Sequence, residues 1–323
     1  MDIVAVDIGG THARFALAQV DQGRVVSLGE AMVMKTAEHP SLRTAWQAFG
    51  EHVGRPLPAA AGVAIACPIG QPSLKLTNNP WTLRPASISE ELALEHFVLV
   101  NDFGAIGRSL GHLDETHIAH VCGPDRPLPA TGVISVVGPG TGLGVAYALR
   151  VGGETFVRET EGGHVDFAPL DPIEDAINQW LRQRHRRVSV ERLVSGPGLS
   201  SIYEALAAIE KRPSRYSTDQ ALWAAAIEGV DALAAAALER FCLIFGAVAG
   251  DIALAQGAGA VVLAGALARR LAATLGEFGF PSRFTAKGRF ERLMSDIPVK
   301  LITHAQPGLL GAAAAFAEQT RAG

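Results

Sequence analysis

Cysteine is scarce in this chain: three residues in 323, Cys67, Cys122 and Cys242, all far apart. That spacing excludes a disulfide framework and a cysteine-built metal site, and it fits a reducing compartment. Positive charge is not in surplus either. The net charge is −4, whereas nucleic-acid binding favours a basic excess. One basic cluster, Arg182, Arg184, Arg186 and Arg187, falls where a helix starting near Pro172 should end, and cations are favoured there. It reads as a solvated face rather than a nucleic-acid patch. Long apolar runs are missing: Phe241 to Gly250 stops at Asp251 and is too short to span a bilayer. The first residues enter a strand at once, so no secretory leader is expected and the chain should be cytoplasmic. Familiar nucleotide fingerprints are absent too. There is no G-x-x-x-x-G-K-[ST], no G-x-G-x-x-G at 138–144, and no kinase-type H-R-D.

What is abundant is glycine, 35 residues, above the usual share of roughly 7%. It lies largely in discrete turns, which points to tight connections rather than low complexity. Hydrophobic content of 48% and charged content of 19% describe a globular chain. Its length allows two ordinary domains or one large one. Two of the glycine turns share one local pattern. Asp7-Ile8-Gly9-Gly10-Thr11 lies between apolar runs at 3–6 and 15–20, and Gly138-Pro139-Gly140-Thr141-Gly142 lies between runs at 133–137 and 143–149. Each reads as strand, glycine turn with a threonine, strand. Glycine permits close backbone approach, so each turn can aim several N–H groups at one anion. Two such turns facing each other would hold a polyphosphate from both sides.

The rest of the pattern predicts an α/β protein. Residues 3–8, 13–20 and 25–33 read as an antiparallel meander, followed by a helix over 41–53 with Leu42, Ala45, Trp46 and Phe49 on one face. A strand at 62–66, a helix at 90–96 and a strand at 97–100 follow. The second half repeats the theme with strands at 133–137, 143–149 and 155–159. Helices are expected at 173–184, 199–209, 219–228, 232–255 and 267–278, with strands at 260–264 and 299–302 and a last helix at 309–318. A meander leading into αβ units implies mixed sheets with helices on their faces.

Several polar residues stand where chemistry is usually built. Asp7 ends a buried strand and reads either as a turn-initiating aspartate or as a carboxylate near a phosphate-bound Mg²⁺, acting through water. Asn101-Asp102 follows the strand at 97–100, and strand ends are where open α/β sheets build sites; an Asx turn or helix cap is the alternative. Glu161-Gly162-Gly163-His164 is a polar cluster on a tight bend. Two ligands are too few for zinc, and carboxylate, imidazole and carboxamide groups suit a ring of hydroxyls. Glu191 lies before Ser195-Gly196-Pro197-Gly198 and is anonymous by position.

Taken in order, these residues resemble a known family. Asp7 to Thr11, Leu76-Thr77-Asn78, Trp81, Asn101-Asp102-Phe103, Gly138 to Gly144, Glu161-Gly162-Gly163-His164-Val165-Asp166-Phe167-Ala168-Pro169, Ser195 to Leu199, Lys287-Gly288-Arg289-Phe290 and Pro307-Gly308-Leu309-Leu310-Gly311 together look like bacterial glucokinase. The match runs nearly end to end, and the 161–169 stretch is its most specific part.

The resemblance implies a two-domain ribonuclease H-like fold of the actin and hexokinase kind, with mixed sheets and an interdomain cleft. Residues 1–112 plus about 303–323 would form the small domain and 113–302 the large one, with the C-terminal helix returning to the small domain. The implied reaction is ATP plus D-glucose giving ADP and D-glucose 6-phosphate. Asp102 would be the general base. Asn78, Asn101, Asp102, Glu161, His164 and Glu191 would bind the sugar. Val6, Asp7, Ile8, Gly9, Gly10, Thr11, Gly138, Gly140, Thr141, Gly142 and Gly265 would surround ATP, with Mg²⁺ held indirectly by Asp7.

Two positions depart from the pattern. His12 stands where many relatives carry asparagine, and Ala266 stands where relatives often have a second glycine, a methyl expected to tighten or tilt the adenine pocket. Three scattered cysteines argue against the related sugar kinases that carry a zinc motif. Competing readings are a kinase for another hexose and a sugar sensor without catalysis; a sensor should carry a DNA-binding module ahead of the sugar domain. A cytoplasmic homodimer is expected, with no nucleic-acid or membrane partner.

Overall fold

The computed structural model describes residues 1–76 and 79–321. The chain begins with strands β1 (Asp2–Ile8), β2 (His12–Asp21), β3 (Arg24–Leu28) and β4 (Met32–Lys35), then helix α1 (Leu42–Val53). Strands β5 (Ala60–Ile65), β6 (Leu74–Lys75) and β7 (Thr82–Leu83) lead to α2 (Pro85–Leu92), β8 (His96–Asn101) and α3 (Asp102–Ser109). Strands β9 (Ile118–Cys122), β10 (Gly132–Pro139), β11 (Leu143–Val151) and β12 (Glu154–Thr160) follow. Next come α4 (Pro172–Arg182), α5 (Gly198–Ile209), α6 (Asp219–Glu228) and α7 (Ala232–Gln256). The last elements are β13 (Ala258–Leu263), α8 (Ala266–Arg270), α9 (Ala272–Glu277), α10 (Phe280–Thr285), α11 (Glu291–Ser295), β14 (Val299–Ile302) and α12 (Pro307–Arg321). They form two compact units, one of Met1–His117, Glu154–Glu159 and His304–Gly323, the other of Ile118–Gly153 and Thr160–Thr303.

In the first unit the sheet order is β3-β2-β1-β5-β8, with β4 also on β2. β2 is antiparallel to β1, whereas β1, β5 and β8 run parallel. Parallel strands need cover on both faces. One face packs on α1 and α2 through Trp46, Phe49, Ile88 and Trp81. The other receives α12, whose Leu309, Ala313 and Phe316 meet Ile3, Ala5 and Ala16. Here α12 lies almost on the backbone: a Cβ at Gly62 would stand 2.1 Å from Ala312 O, and one at Gly311 would stand 1.7 Å from Ala105 O. Only glycine allows that approach, so the C-terminal helix is built into the N-terminal sheet.

The second unit carries the strand path β11-β10-β13-β14-β9. β11 is antiparallel to β10, β10, β13 and β14 run parallel, and β9 is antiparallel to β14. Its core joins this sheet to α5, α6, α7 and α10 through Tyr203, Trp223, Phe241, Phe245, Phe280 and Phe284. Helix α7 has 25 residues and is the one helix among the described residues long and apolar enough to cross a bilayer. The uninterrupted apolar run at 241–250 is only the middle of this helix, which extends on both sides of it. Its apolar side chains, Phe241, Ile244 and Phe245 among them, are buried in this core.

The differences from the expected elements have local causes. The strand expected at 25–33 is two strands, β3 and β4, because the N–H of Gly29 turns in to Leu17 O at 2.8 Å and both pieces pair with β2. The helix expected at 90–96 runs instead from Pro85, which occupies its first turn, and ends at Ala93 with a left-handed φ of 53°. The helix expected at 267–278 is broken at Leu271 into α8 and α9. Helix α3 and strand β9 were not expected.

Candidate active site

The first glycine turn is held from its carbonyl side. Gly9 O accepts from Asn79 Nδ2 at 2.9 Å, Gly10 O accepts from Thr36 Oγ1 at 3.3 Å, and Thr11 O accepts from Thr36 N at 3.0 Å. Gly9 N donates to His12 O at 2.9 Å, closing the hairpin. The several N–H donors expected of this turn therefore reduce to those of Gly10 and Thr11. His12 opens β2, and its Nδ1 lies 3.0 Å from Thr11 Oγ1, so the residue that departs from the family pattern contacts the turn's hydroxyl. Val6 and Ile8 are fully buried core residues. Val6 pairs with Phe15 and Val63 in mid-sheet, so its side chain serves the core and presents no ligand surface.

Asp7 sits beside Arg14, whose Nη1 donates to Asp7 Oδ2 at 3.3 Å. Burial raises the carboxyl above its usual range, and Arg14 draws it back only in part. A Cβ at Gly308 would fall 2.6 Å from Asp7 Oδ2, so the start of α12 faces this carboxylate. The partial positive charge of helix N–H groups favours that placement.

Asn101 and Asp102 end β8 and begin α3. Asn101 caps the helix: its Oδ1 accepts from Phe103 N at 2.9 Å and Gly104 N at 3.2 Å, while its Nδ2 donates to Cys67 O at 3.2 Å. Asp102 occupies the first helical position, and its Oδ1 accepts from Phe103 N at 2.9 Å. Burial, then the Asp102 charge, push the Cys67 thiol up to about 11, so Cys67 stays protonated beside the carboxylate. Ile8 and Asn101 are both in register with Ile65. The turn and Asp102 thus lie on one sheet edge, two strands apart. Asn78 lies outside the described residues.

The second glycine turn is held differently. Gly140 N donates to Gly142 O at 2.8 Å, and Gly140 O accepts from Gly196 N at 2.7 Å. Behind it, Trp223 Nε1 donates to Gly196 O at 2.8 Å. Glu191 Oε2 accepts from Leu143 N at 2.9 Å, and a Cβ at Gly142 would stand 2.2 Å from that same oxygen. Glu191, anonymous in the sequence, is therefore part of the turn's support. Thr141 and Gly142 supply its remaining N–H donors. Val137 pairs with Leu263, and Ala264 N donates to Val137 O at 3.0 Å. This brings Gly265, at φ 94°, to the turn, where a Cβ would be 3.3 Å from Pro139 O. Ala266 begins α8 and is exposed.

Glu161 precedes and His164 ends a single turn of 3-10 helix, with His164 N donating to Glu161 O at 2.9 Å. Glu161 Oε2 and His164 Nε2 are 3.8 Å apart, and both side chains are exposed. Arg187 donates to Asp166 Oδ1 and to His164 O, so this member of the basic cluster fastens the loop and is not simply a solvated charge. Arg184 stacks on Trp180 and pairs with Glu204 at 2.7 Å. A cavity of about 260 Å³ lies behind the loop, lined by Gly162, Val165, Phe167, Val248 and Ile252. Neither Glu161 nor His164 lines it. Downstream, Asp171 caps α4 and, with Glu174, meets Arg240 and Arg283. Burial works to raise the Asp171 carboxyl, but the Glu174 N–H and the two guanidinium groups hold it below its usual range.

A family model described as glucokinase matches residues 4–319. The glucokinase of Zymomonas mobilis is 61% identical over 319 residues, spanning 99% of this chain and 98% of that protein. The glucokinase of Paramagnetospirillum magneticum is 37% identical, spanning 96% of each. Among solved structures, the glucokinase of an Antarctic psychrotroph aligns with a TM-score of 0.83 at 31% identity, over 97% of this chain and 98% of that one. The mixed-sheet α/β architecture expected from the sequence is the architecture of that structure.

Proposed function

The chain belongs to the glucokinase family, and we infer that it transfers the γ-phosphoryl group of ATP to the 6-hydroxyl of D-glucose, giving ADP and D-glucose 6-phosphate. The observation that carries the division of roles is the sheet edge of the first unit, where Ile8 and Asn101 share Ile65 as register partner. A phosphate turn and a carboxylate start two strand spacings apart, about 10 Å, a separation that the transferring group and the attacking hydroxyl fill.

Asp102 accepts the proton of the 6-hydroxyl as its oxygen bonds to the γ-phosphorus. The bond from phosphorus to the bridging oxygen breaks, and its electron pair leaves with ADP. Asn78, Asn101, Glu161, His164 and Glu191 hydrogen-bond the sugar. Gly10 and Thr11 receive phosphate oxygens through backbone N–H groups, as do Thr141 and Gly142, while Gly9, Gly138 and Gly140 let the turns approach the phosphates closely, and Gly265 approaches the adenosine. Mg²⁺, when bound, neutralises charge on the phosphate oxygens. Asp7 would hold it through water. A single carboxylate fits that task, because Mg²⁺ keeps several waters and takes one or two carboxylates alongside substrate phosphates. Among the described residues no group of three or more ligating side chains forms.

Placement of two substrates contributes roughly 7–11 kcal/mol, whereas a general base contributes about 10²–10⁴-fold. Asp102→Asn therefore lowers turnover by about 10²–10⁴-fold while glucose affinity, read by calorimetry, changes little. Near-normal turnover would remove Asp102 as the base. The two compact units serve as the small and large domains. Three cysteines without disulfides support a reducing cytoplasm. Exposed Ile173, Ile209 and Leu293 support a homodimer, which sedimentation equilibrium checks.

A further inference from the structure

We infer that Asn79 is a positioning residue for the first phosphate turn: its amide fixes the Gly9 carbonyl and thereby aims the N–H that receives the donor phosphate. The inference rests on the reading of that turn as the donor site. Asparagine is mostly a surface residue, yet Asn79 is 7% exposed. Both ends of its amide are used. Nδ2 donates to Gly9 O at 2.9 Å and Oδ1 accepts from Trp81 N at 2.8 Å. Trp81 is itself 2% exposed, and its indole Nε1 donates to His39 O at 2.8 Å. The amide is thus braced by a buried tryptophan on one side and grips the turn on the other.

Thr36 completes the grip from a second direction, through Gly10 O and Thr11 O. It is buried at 1% exposure. Three successive carbonyls are each held by a donor from outside the turn. A carbonyl and the following N–H lie in one rigid plane and point opposite ways. Fixing Gly9 O therefore orients Gly10 N–H, and fixing Gly10 O orients Thr11 N–H. Donors oriented before the anion arrives cost no reorganisation when it does. The grip must also be neutral or positive, because a carboxylate in place of the amide would repel both the carbonyl and the phosphate.

Steady-state kinetics with ATP and glucose varied separately test this. Asn79→Asp should raise the KM for ATP about tenfold, the equivalent of one hydrogen bond, with the KM for glucose nearly unchanged. Relative to the parent enzyme at each pH, that rise should shrink on acidification, because the introduced carboxyl donates to Gly9 O only when protonated. Trp81→Phe removes the indole bond in the same segment and should lower the melting temperature without the donor-specific change. If Asn79→Asp does not fold, Thr36→Val and Thr36→Ser replace it: the first should raise the ATP KM and the second should restore it. Gly10→Val probes the donor reading itself. An unchanged ATP KM there would remove the turn from the donor site. A raised ATP KM in Gly10→Val, with Asn79→Asp and Thr36→Val unaffected, would overturn the inference alone, as would equal rises for both substrates in Asn79→Asp.

Discussion

In the first unit the strand after the glycine turn is antiparallel to β1, and β1, β5 and β8 then run parallel; in the second, β11 is antiparallel to β10, and β10, β13 and β14 run parallel. The frames are the same. They part at the third parallel strand: β8 ends in Asn101 and feeds Asp102 into a helix, whereas β14 ends in the buried pair Leu301-Ile302. The turns part in polarity. Neutral donors hold the carbonyls of the first, while a carboxylate holds an N–H beside the second. A repeated sheet thus carries two glycine turns, but a carboxylate at the start of a helix follows the third parallel strand in only one of the two frames.

The largest expected effect separates the units by stability. Gly311→Ala drives a Cβ into the Ala105 carbonyl, at a cost of about 3 kcal/mol, the upper end of what overpacking typically costs. Calorimetry should show the first unit melting early and the second near its parental temperature; a single shifted transition would mean the units unfold together. Next come two aspartates with opposite pH behaviour. The Asp171 carboxyl is lowered in the folded protein, so its stabilisation is present above the ordinary aspartate range and is lost as pH falls through its folded value. Asp171→Asn should cost about 2–3 kcal/mol at neutral pH, with the difference fading in acid. The Asp7 carboxyl is raised, so the folded state favours its protonated form, and that contribution is lost as pH rises through its folded value. Asp7→Asn should therefore raise the neutral melting temperature although catalysis suffers. Equal signs for the two variants across a pH series of melts would break the contrast. The smallest effect is Trp223→Phe, which removes the bond to Gly196 O behind the second turn. It should cost about 1 kcal/mol and leave the pH profile of turnover intact.

Much of this was legible in the residues because the signals were local. Helix α6 and strand β14 coincide with the periodic segments that announced them, and Ser41 caps α1 in a reciprocal pair with Thr44. Helix α3 was hidden by Gly104 and Gly107, poor helix formers. Their lack of side chains has a non-local use: a Cβ at Gly107 would meet Val157 at 2.6 Å. The glycine turns were visible, but their supports were not. Asn79 grips Gly9 across 70 positions and Glu191 grips Leu143 across 48, and nothing in the local pattern of either residue marks such a partner.

The seat of α12 has a consequence for how the protein comes into being. Leu309, Ala313 and Phe316 are core residues of a sheet whose first strand is Asp2–Ile8. A ribosome makes β1 long before α12, so the sheet of the first unit keeps an open apolar face until α12 has emerged. The second unit, encoded in between, has its whole core in hand earlier. Vectorial synthesis then finishes this molecule from the middle outward, and a prematurely terminated chain is left without cover on the sheet that carries Asp102.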